Sequence, residues 1–198
     1  MKQFWDERYS VKEYVYGVSP NSFFKEQIAK LQPGKLLLPG EGEGRNAVYA
    51  ASLGWNVMAF DTSLEGRKKA MALAQETNVS FEYVMNSYLD FNYKAHQFDA
   101  IGLFFTHMPS EMRIRFHQFL LGSLKPGGRL ILECFHKEQI NRNTGGPANL
   151  DFLFSEEELQ TDFSVLEIVL LEKQSRSLQE GLFHNGEADL VRLLAIKP

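Results

Sequence analysis

The feature that most constrains the fold is a loop in which glycine occupies every second position, at Gly40, Gly42 and Gly44. The short apolar run KLLLP at residues 35–39 precedes this loop, and a segment with helical spacing of small apolar residues follows it. Glycine allows a sharp turn and a close approach of the backbone to a ligand, and the N-terminus of a helix presents free N–H groups. A strand, a glycine-rich turn and a helix in this order therefore predict a binding loop for a nucleotide-like ligand.

Strand-length apolar runs alternate with helix-period segments through most of the chain. The predicted strands are residues 35–39, 56–60, 79–85, 98–105 and 129–135, and the predicted helices are residues 46–53, 63–77 and 111–123. This alternation predicts a parallel sheet with helices on both faces. Two late strands, at 165–171 and 188–196, have no helix between them. The expected fold is α/β, a Rossmann-like doubly wound, mostly parallel seven-stranded sheet with a C-terminal antiparallel hairpin.

Length and charge limit the possible classes of protein. A chain of 198 residues suits one domain over residues 1–198. Within it we expect an N-terminal arm or lid at 1–20, a core at 35–136 that binds a cofactor, and a C-terminal part at 137–198. The net charge of −4 opposes a nucleic-acid partner, and no apolar run approaches the ~20 residues of a membrane span. We therefore expect a cytoplasmic protein, either monomer or homodimer.

Three acidic residues narrow the identity of the ligand. Asp61 ends the second predicted strand, where a carboxylate can accept hydrogen bonds from both hydroxyls of a ribose. Glu41 and Glu43 lie inside the glycine loop itself. Their carboxylates either face the ligand or merely point into solvent. A carboxylate ~4 Å from a phosphate would repel it by about 4 kcal/mol at an effective dielectric constant near 20. S-adenosylmethionine, which carries a sulfonium and an ammonium group and no phosphate, suits this loop better than a dinucleotide.

Longer stretches of the sequence resemble a known family. KLLLPGEGEGRNAVYAASLGWNVMAFDTS resembles the first two motifs of class I methyltransferases, and FDAIGLFFTHMP and LKPGGRLILECF resemble their later strand motifs. The N-terminal stretch FWDERYSVKEYVYGVSPNSFF, the GGP at 145–147 and EGLFHNG at 180–186 are similar to small bacterial proteins near the tellurite-resistance and thiopurine methyltransferases. The resemblance covers essentially the whole chain.

The resemblance implies a set of positions that bind the cofactor. The glycines of the loop would line its amino-acid portion, Asp61 would hold the ribose, and Thr62 and Ser63 would lie beside the adenosine. Ser87 departs from the acidic residue that many relatives carry, and Glu41 could replace an acid that is missing at the end of the first strand. The expected residues are Gly40, Glu41, Gly42, Gly44, Arg45, Asn46, Asp61, Thr62, Ser63, Ser87, Tyr88, Phe105 and Arg8.

Candidate groups for the chemistry are histidines that follow predicted strands, because sites in open α/β sheets lie at the carboxyl ends of the strands. His107 is a candidate base or orienting group, or else a loop residue that caps a helix. His184 is a second candidate, or else part of an exposed turn, and His136 has an address similar to that of His107. His96 and His117 are predicted at the surface. No histidine has the spacing of a metal ligand, so no metal is expected.

Aromatic residues dominate the N-terminal arm, which includes Trp5, Tyr9 and Tyr16. They predict either a lid that closes over cofactor and substrate, with Arg8 meeting the cofactor carboxylate, or an aromatic helix packed on the sheet. The lone cysteine, Cys134, lies in an apolar run and is expected to be a buried thiol rather than a nucleophile.

The expected function is the transfer of a methyl group from S-adenosylmethionine to a small molecule. By resemblance, the acceptor would be a thiol, a selenium or a tellurium species. The alternative is a sensor or partner protein that binds S-adenosylmethionine without catalysis. A methyltransferase for macromolecules would need a basic face or a recognition domain, and the loop disfavours a nicotinamide oxidoreductase.

Overall fold

The apolar runs form a seven-stranded sheet in the computed structural model, which describes residues 2–90 and 94–198. The strands are β1 (Lys35–Pro39), β2 (Asn56–Asp61), β3 (Glu82–Met85), β4 (Phe98–Phe104), β5 (Leu124–Phe135), β6 (Glu167–Glu180) and β7 (His184–Ile196). The helices are α1 (Lys2–Tyr9), α2 (Ser22–Ile28), α3 (Arg45–Ser52), α4 (Leu64–Glu76), α5 (Ser110–Ser123) and α6 (Glu156–Asp162). The predicted arm includes residue 1 and the predicted core includes residues 91–93, which lie outside the described residues.

The strand order is β3-β2-β1-β4-β5-β7-β6. Neighbouring strands from β3 through β5 pair in parallel, whereas β7 is antiparallel to both β5 and β6. This arrangement confirms the predicted mostly parallel sheet with a C-terminal hairpin. It places the carboxyl ends of β1, β2 and β4 at one edge, which is where a ligand site is expected.

Apolar residues cover both faces of the sheet because neighbouring residues of a strand point to opposite faces. Leu37 faces one core layer, to which α5 and α6 contribute Phe116 and Leu159. Leu36 and Leu38 face the other layer, which is covered by α2, α3 and α4. No helix among the described residues is long and apolar enough to span a bilayer.

A reciprocal pair of hydrogen bonds closes the start of α6. The Ser155 side chain accepts a hydrogen bond from the Glu158 N–H, and the Glu158 side chain accepts one from the Ser155 N–H. This reciprocal pair is a capping box, which satisfies two N–H groups that the helix itself leaves free.

Three expectations about local structure are wrong. The connection predicted between the last two strands is mostly strand, because β6 extends to Glu180 and β7 begins at His184. Residues 125–128, whose sequence KPGG is typical of a turn, lie within β5. His117 is completely buried rather than at the surface, because its Nδ1 lies 2.9 Å from the Asp162 carboxylate of α6. A partner that is distant in sequence satisfies its polar ring, and the local pattern could not reveal that partner.

Candidate active site

A cavity of about 650 Å³ opens at the carboxyl ends of β1, β2 and β4. Five segments surround it: the N-terminal arm, the glycine loop, the ends of the strands, the loop at 143–148 and the turn between β6 and β7. The predicted site residues that line it are Trp5, Arg8, Tyr9, Tyr16, Gly40, Glu41, Arg45, Asn46, Asp61, Thr62, Ser87, Tyr88, Phe105, His107 and His184.

The three loop glycines have different structural roles, although all have positive φ angles. Gly40 lines the cavity, and a Cβ atom there would overlap the Tyr88 hydroxyl, so the loop leaves room only for a bare backbone. Gly42 lies beneath Tyr9, whose hydroxyl would be 2.5 Å from an added Cβ. Gly44 precedes α3 and allows close packing on Ala70 of α4. Gly42 and Gly44 therefore shape the loop without lining the cavity.

Backbone N–H groups hold the carboxylate of Asp61 in place. Its Oδ2 accepts a hydrogen bond from Gly42 N–H at 3.1 Å, and its Oδ1 accepts one from Ser63 N–H at 2.9 Å. Burial raises the pKa of Asp61, and these hydrogen bonds oppose the rise. Thr62 lines the cavity, whereas Ser63 lies outside the lining, where it caps α4. Asp61 is thus a rigid acceptor at the edge of the cavity.

The two glutamates of the loop differ in their surroundings. Glu41 lines the cavity, and its Oε1 accepts hydrogen bonds from Asn46 N–H and Ala47 N–H at the start of α3. Burial raises the pKa of Glu41 to about 7, despite those hydrogen bonds. Glu43 is bound instead to the arm, through Val15 N–H at 2.9 Å, and to Lys69 Nζ at 2.8 Å. Neither carboxylate simply points into solvent.

The end of β4 turns sharply into the cavity. Phe105 has a φ of 54°, which is unusual for a bulky residue, and its carbonyl accepts a hydrogen bond from His107 N–H. His107 Nδ1 lies 2.8 Å from the Phe152 carbonyl oxygen, so Nδ1 carries the proton and donates it. Burial lowers the pKa of His107 to about 4, which makes the ring neutral at pH 7. Its Nε2 is buried and has no hydrogen-bond partner among the described residues.

His184 is buried at the start of β7 rather than exposed in a turn. Its Nδ1 lies 3.4 Å from Glu180 Oε2, and the same oxygen is 2.9 Å from the Arg45 guanidinium. Burial lowers the pKa of His184. Burial opposes ionisation of Glu180 as well, but the contacts with His184 and Arg45 hold the pKa of Glu180 at about 2. The neutral imidazole of His184 therefore contacts the ion pair between Glu180 and Arg45, the first residue of α3.

The N-terminal arm forms one wall of the cavity. Arg8 donates a hydrogen bond to the Tyr16 hydroxyl at 2.9 Å, and its guanidinium lies 4.5 Å from the ring centre of Phe4 and 4.4 Å from that of Phe183. Trp5 stacks on Tyr9 at 5.5 Å. The Asp6 carboxylate accepts a hydrogen bond from the Ser63 hydroxyl at 2.7 Å, which attaches α1 to the start of α4.

Two other predicted positions are placed as follows. Ser87 lines the cavity, and its hydroxyl donates to Asp90 at 2.6 Å. His136 lies outside the cavity lining: its Nε2 is 3.1 Å from Glu156, and its Nδ1 accepts a hydrogen bond from Glu138 N–H. Cys134 is buried, as expected, and burial raises its pKa to about 12.

Sequence reasoning missed several aromatic residues of the cavity. Phe135, Phe152 and Phe183 line it together with the glycine pair Gly145 and Gly146. Phe135 ends β5, so the rule that sites lie at carboxyl ends of strands could have found it. Phe152 and Phe183 lie in loops whose position depends on tertiary contacts. The glycine pair was visible in the sequence, but no role followed from it.

The domain and its fold define the class of protein. Residues 37–132 match the family model of the methyltransferase domain. This match and the strand order show a Rossmann-like methyltransferase fold, the fold of enzymes that use S-adenosylmethionine. No curated protein matches the chain significantly.

Solved structures with the same fold include TehB from Haemophilus influenzae, with a TM-score of 0.75, 16% identity and coverage of 100% of this chain and 67% of TehB. Magnesium protoporphyrin IX methyltransferase (ChlM) from Synechocystis PCC 6803, with bound SAH, has a TM-score of 0.75, 16% identity and coverage of 100% and 98%. The [4+2]-cyclase SpnF has a TM-score of 0.71, 18% identity and coverage of 100% and 94%. At these identities the likeness concerns the fold alone.

Proposed function

We propose that the chain transfers the methyl group of S-adenosylmethionine to a small-molecule acceptor that is held in the same cavity. The observation that carries this proposal is the composition of the cavity. A bare glycine backbone and the fixed carboxylate of Asp61 line it together with two neutral histidines, His107 and His184. When bound, the cofactor supplies a methyl group on a sulfonium sulfur, which departs as a thioether.

The residues present fit the cofactor. Gly40 lines the cavity without a side chain, which removes one obstacle to a ligand beside the loop. Asp61 has carboxylate lone pairs beyond those used by its two N–H donors, and these can accept ribose hydroxyls. Thr62, Ser87 and Tyr88 would lie beside the adenosine.

Charged groups in the cavity match the two ends of an amino acid. Glu41 would face the cofactor's ammonium group, and a cation there favours the ionised form of this carboxylate. Arg8 forms no ion pair with a carboxylate within the described part of the chain, so its guanidinium is free to bind the cofactor's carboxylate. Glu41 and Arg8 would thus bind the ammonium and carboxylate groups of S-adenosylmethionine, a cofactor without phosphate groups.

Alignment and exclusion of water would supply most of the rate enhancement, because well-held reactants can gain ~7–11 kcal/mol. Trp5, Tyr9 and Tyr16 would act as a lid by covering the cavity. The lone pair of the attacking atom forms the new bond to the methyl carbon. Where that atom carries a proton, His184 would accept it at Nε2, because Nδ1 is held by Glu180.

The finer identity of the acceptor rests on resemblance and on the character of the walls. Phe105, Phe135 and Phe183 offer apolar, polarisable surfaces in the cavity. Such surfaces suit a soft nucleophile, and we propose a thiol, a selenium or a tellurium species.

Labelled S-adenosylmethionine carrying a CD₃ group tests catalysis. The protein is incubated with this cofactor and a panel of thiols, selenols, selenite and tellurite, and each product is analysed by mass spectrometry. A CD₃ group on an acceptor, with an equal amount of S-adenosylhomocysteine formed, is the expected result. Binding of the cofactor without transfer to a broad panel would instead favour a sensor that does not catalyse.

A further inference from the structure

His107 lines the cavity, and its Nε2 is a buried ring nitrogen for which the described residues provide no partner. Its Nδ1 donates to the Phe152 carbonyl, so the tautomer is fixed, and its Nε2 can only accept a hydrogen bond. A buried acceptor without a partner costs free energy of folding, and native proteins rarely retain one without a reason. A bound molecule that donates a hydrogen bond would remove this cost.

Aromatic rings surround this nitrogen. The His107 ring stacks on Phe135 with 5.5 Å between ring centres, and Phe105 lies 4.8 Å from Phe135. Phe105 also lies 4.4 Å from His184. This end of the cavity is therefore a set of flat surfaces around one acceptor nitrogen, which favours a flat molecule.

The rim of the cavity is apolar as well. Phe4, Leu89, Leu182 and Phe183 all line it, and each is more than two fifths exposed. Exposed apolar residues clustered at a cavity indicate a ligand that is itself apolar. An acceptor that enters past these side chains loses its hydration shell, which penalises a charged molecule.

We propose that the acceptor is an uncharged, flat, largely apolar molecule that donates one hydrogen bond to His107 Nε2, and that His107 thereby determines acceptor specificity. Of the acceptor classes proposed above, this favours an aromatic thiol over the oxyanions selenite and tellurite. This inference rests on the proposed function, because it assigns the remaining part of the cavity to the acceptor. In this role His107 orients and selects the acceptor, while a departing proton goes to His184.

Matched pairs of small aromatic molecules test the proposal. The protein is saturated with S-adenosylhomocysteine, and the affinities of phenol and anisole, and of indole and N-methylindole, are measured by calorimetry. Within each pair the ring is kept and the donor is lost. One hydrogen bond contributes about 1 kcal/mol, so the donor member of each pair should bind at least about fivefold more tightly.

Two variants locate the hydrogen bond. His107→Phe keeps a flat ring and removes Nε2, so the preference within each pair should fall to about one. His184→Phe should keep the preference, because its nitrogen is not the proposed partner. The wild-type protein gives an independent readout if a variant fails to fold: phenol should shift the ¹⁵N resonance of His107 Nε2, and anisole should not.

The outcomes separate this inference from the proposed function. Failure to bind S-adenosylhomocysteine would contradict the proposed function itself. Binding of S-adenosylhomocysteine with equal affinities within each pair, or with no binding of any of the four molecules, would overturn the inference and leave the cofactor assignment intact. Loss of the preference in His184→Phe but not in His107→Phe would also overturn it.

Discussion

At the scale of single residues, the carboxyl group of Glu41 combines a structural contact with a place in the cavity wall. It caps α3 through two N–H groups, yet burial raises its pKa to about 7. The folded state therefore holds the proton more tightly than the unfolded chain does. This group contributes folding stability at low pH and loses that contribution as the pH rises from the ordinary value of 4.5 to about 7.

The raised pKa of Glu41 predicts that binding of the cofactor depends on pH. A ligand with an ammonium group favours the ionised carboxylate, so binding below pH 7 must release a proton. The affinity for S-adenosylhomocysteine should rise about tenfold between pH 5.5 and pH 7 and then level off. Calorimetry in buffers of different ionisation enthalpy measures the released proton. Glu41→Gln should flatten the profile, and an unchanged profile in this variant would contradict the assignment.

The guanidinium of Arg8, which has no carboxylate partner among the described residues, predicts selective recognition of a carboxylate. Arg8→Gln should weaken binding of S-adenosylhomocysteine by about tenfold, because a charge-assisted hydrogen bond contributes about 1.5 kcal/mol or more. Binding of 5′-methylthioadenosine, which lacks the amino-acid portion, should stay the same. Titration of both ligands against both proteins decides the matter. Equal losses for the two ligands would mean that Arg8 only supports the wall of the cavity.

Residues whose role depends on chain position were predictable, and those whose role depends on distant partners were not. The glycine loop and Asp61 follow directly from the strand–turn–helix pattern. Nothing local to Glu43 reveals that it binds the backbone of the arm and Lys69. In the same way, the pairing of His184 with Glu180 depends on the short turn between β6 and β7, which the sequence pattern did not predict.

At the scale of elements, the contact between α5 and α6 depends on a buried ionic cluster. Asp162 of α6 lies 3.0 Å from the Arg113 Nε and 2.9 Å from the His117 Nδ1 of α5. Burial opposes ionisation of Asp162, but these two partners lower its pKa. The carboxylate is thus charged and fully enclosed by its partners.

Removal of this charge should destabilise the protein strongly. Asp162→Asn removes the nearer counter-ion of the buried Arg113 and leaves Glu158, 3.6 Å away, as its more distant partner. The free energy of unfolding should therefore fall by about 3 kcal/mol. The control is Glu26→Gln, which breaks an exposed ion pair with Lys30 and should change it by roughly 0.5 kcal/mol or less. Denaturant titrations of both variants compare the two. Similar small effects would show that the cluster contributes little to stability.

The strands also differ in how well the sequence predicts them. The buried strands β1, β2 and β4 were located to within a residue because they are almost wholly apolar. The hairpin was underestimated because β6 lies at the edge of the sheet and alternates exposed charged residues with partly buried ones. A strand of this kind resembles a polar connection until its register with β7 is known.

At the scale of the whole molecule, the arm connects the start of α4 to the turn between β6 and β7. Asp6 attaches α1 to the start of α4 next to Asp61, and Arg8 and Tyr16 reach the turn between β6 and β7. The arm forms one wall of the cavity, and we propose that it is a lid whose opening limits the rate of ligand release.

Loosening the arm should therefore speed release of the ligand. Asp6→Ala removes the acceptor for the Ser63 hydroxyl and the Glu65 N–H, and S-adenosylhomocysteine should dissociate about fivefold faster from this variant. Glu7→Ala, on the same helix and exposed, is the control and should leave the rate unchanged. Stopped-flow displacement measures both rates. An unaltered rate in Asp6→Ala would show that the arm is a fixed wall and not a lid.

Titration of S-adenosylmethionine and S-adenosylhomocysteine by calorimetry, with NADH and ATP as controls, tests the account as a whole most directly. We predict saturable micromolar binding of the two adenosyl ligands, stabilisation of the fold by about 2.7 kcal/mol at 100 times the dissociation constant, and no binding of the controls. Gly40→Ala should weaken the binding, because an added Cβ would displace the Tyr88 ring that lines the cavity. Folded wild-type protein that binds neither adenosyl ligand would contradict the assignment of the cavity and of methyl transfer.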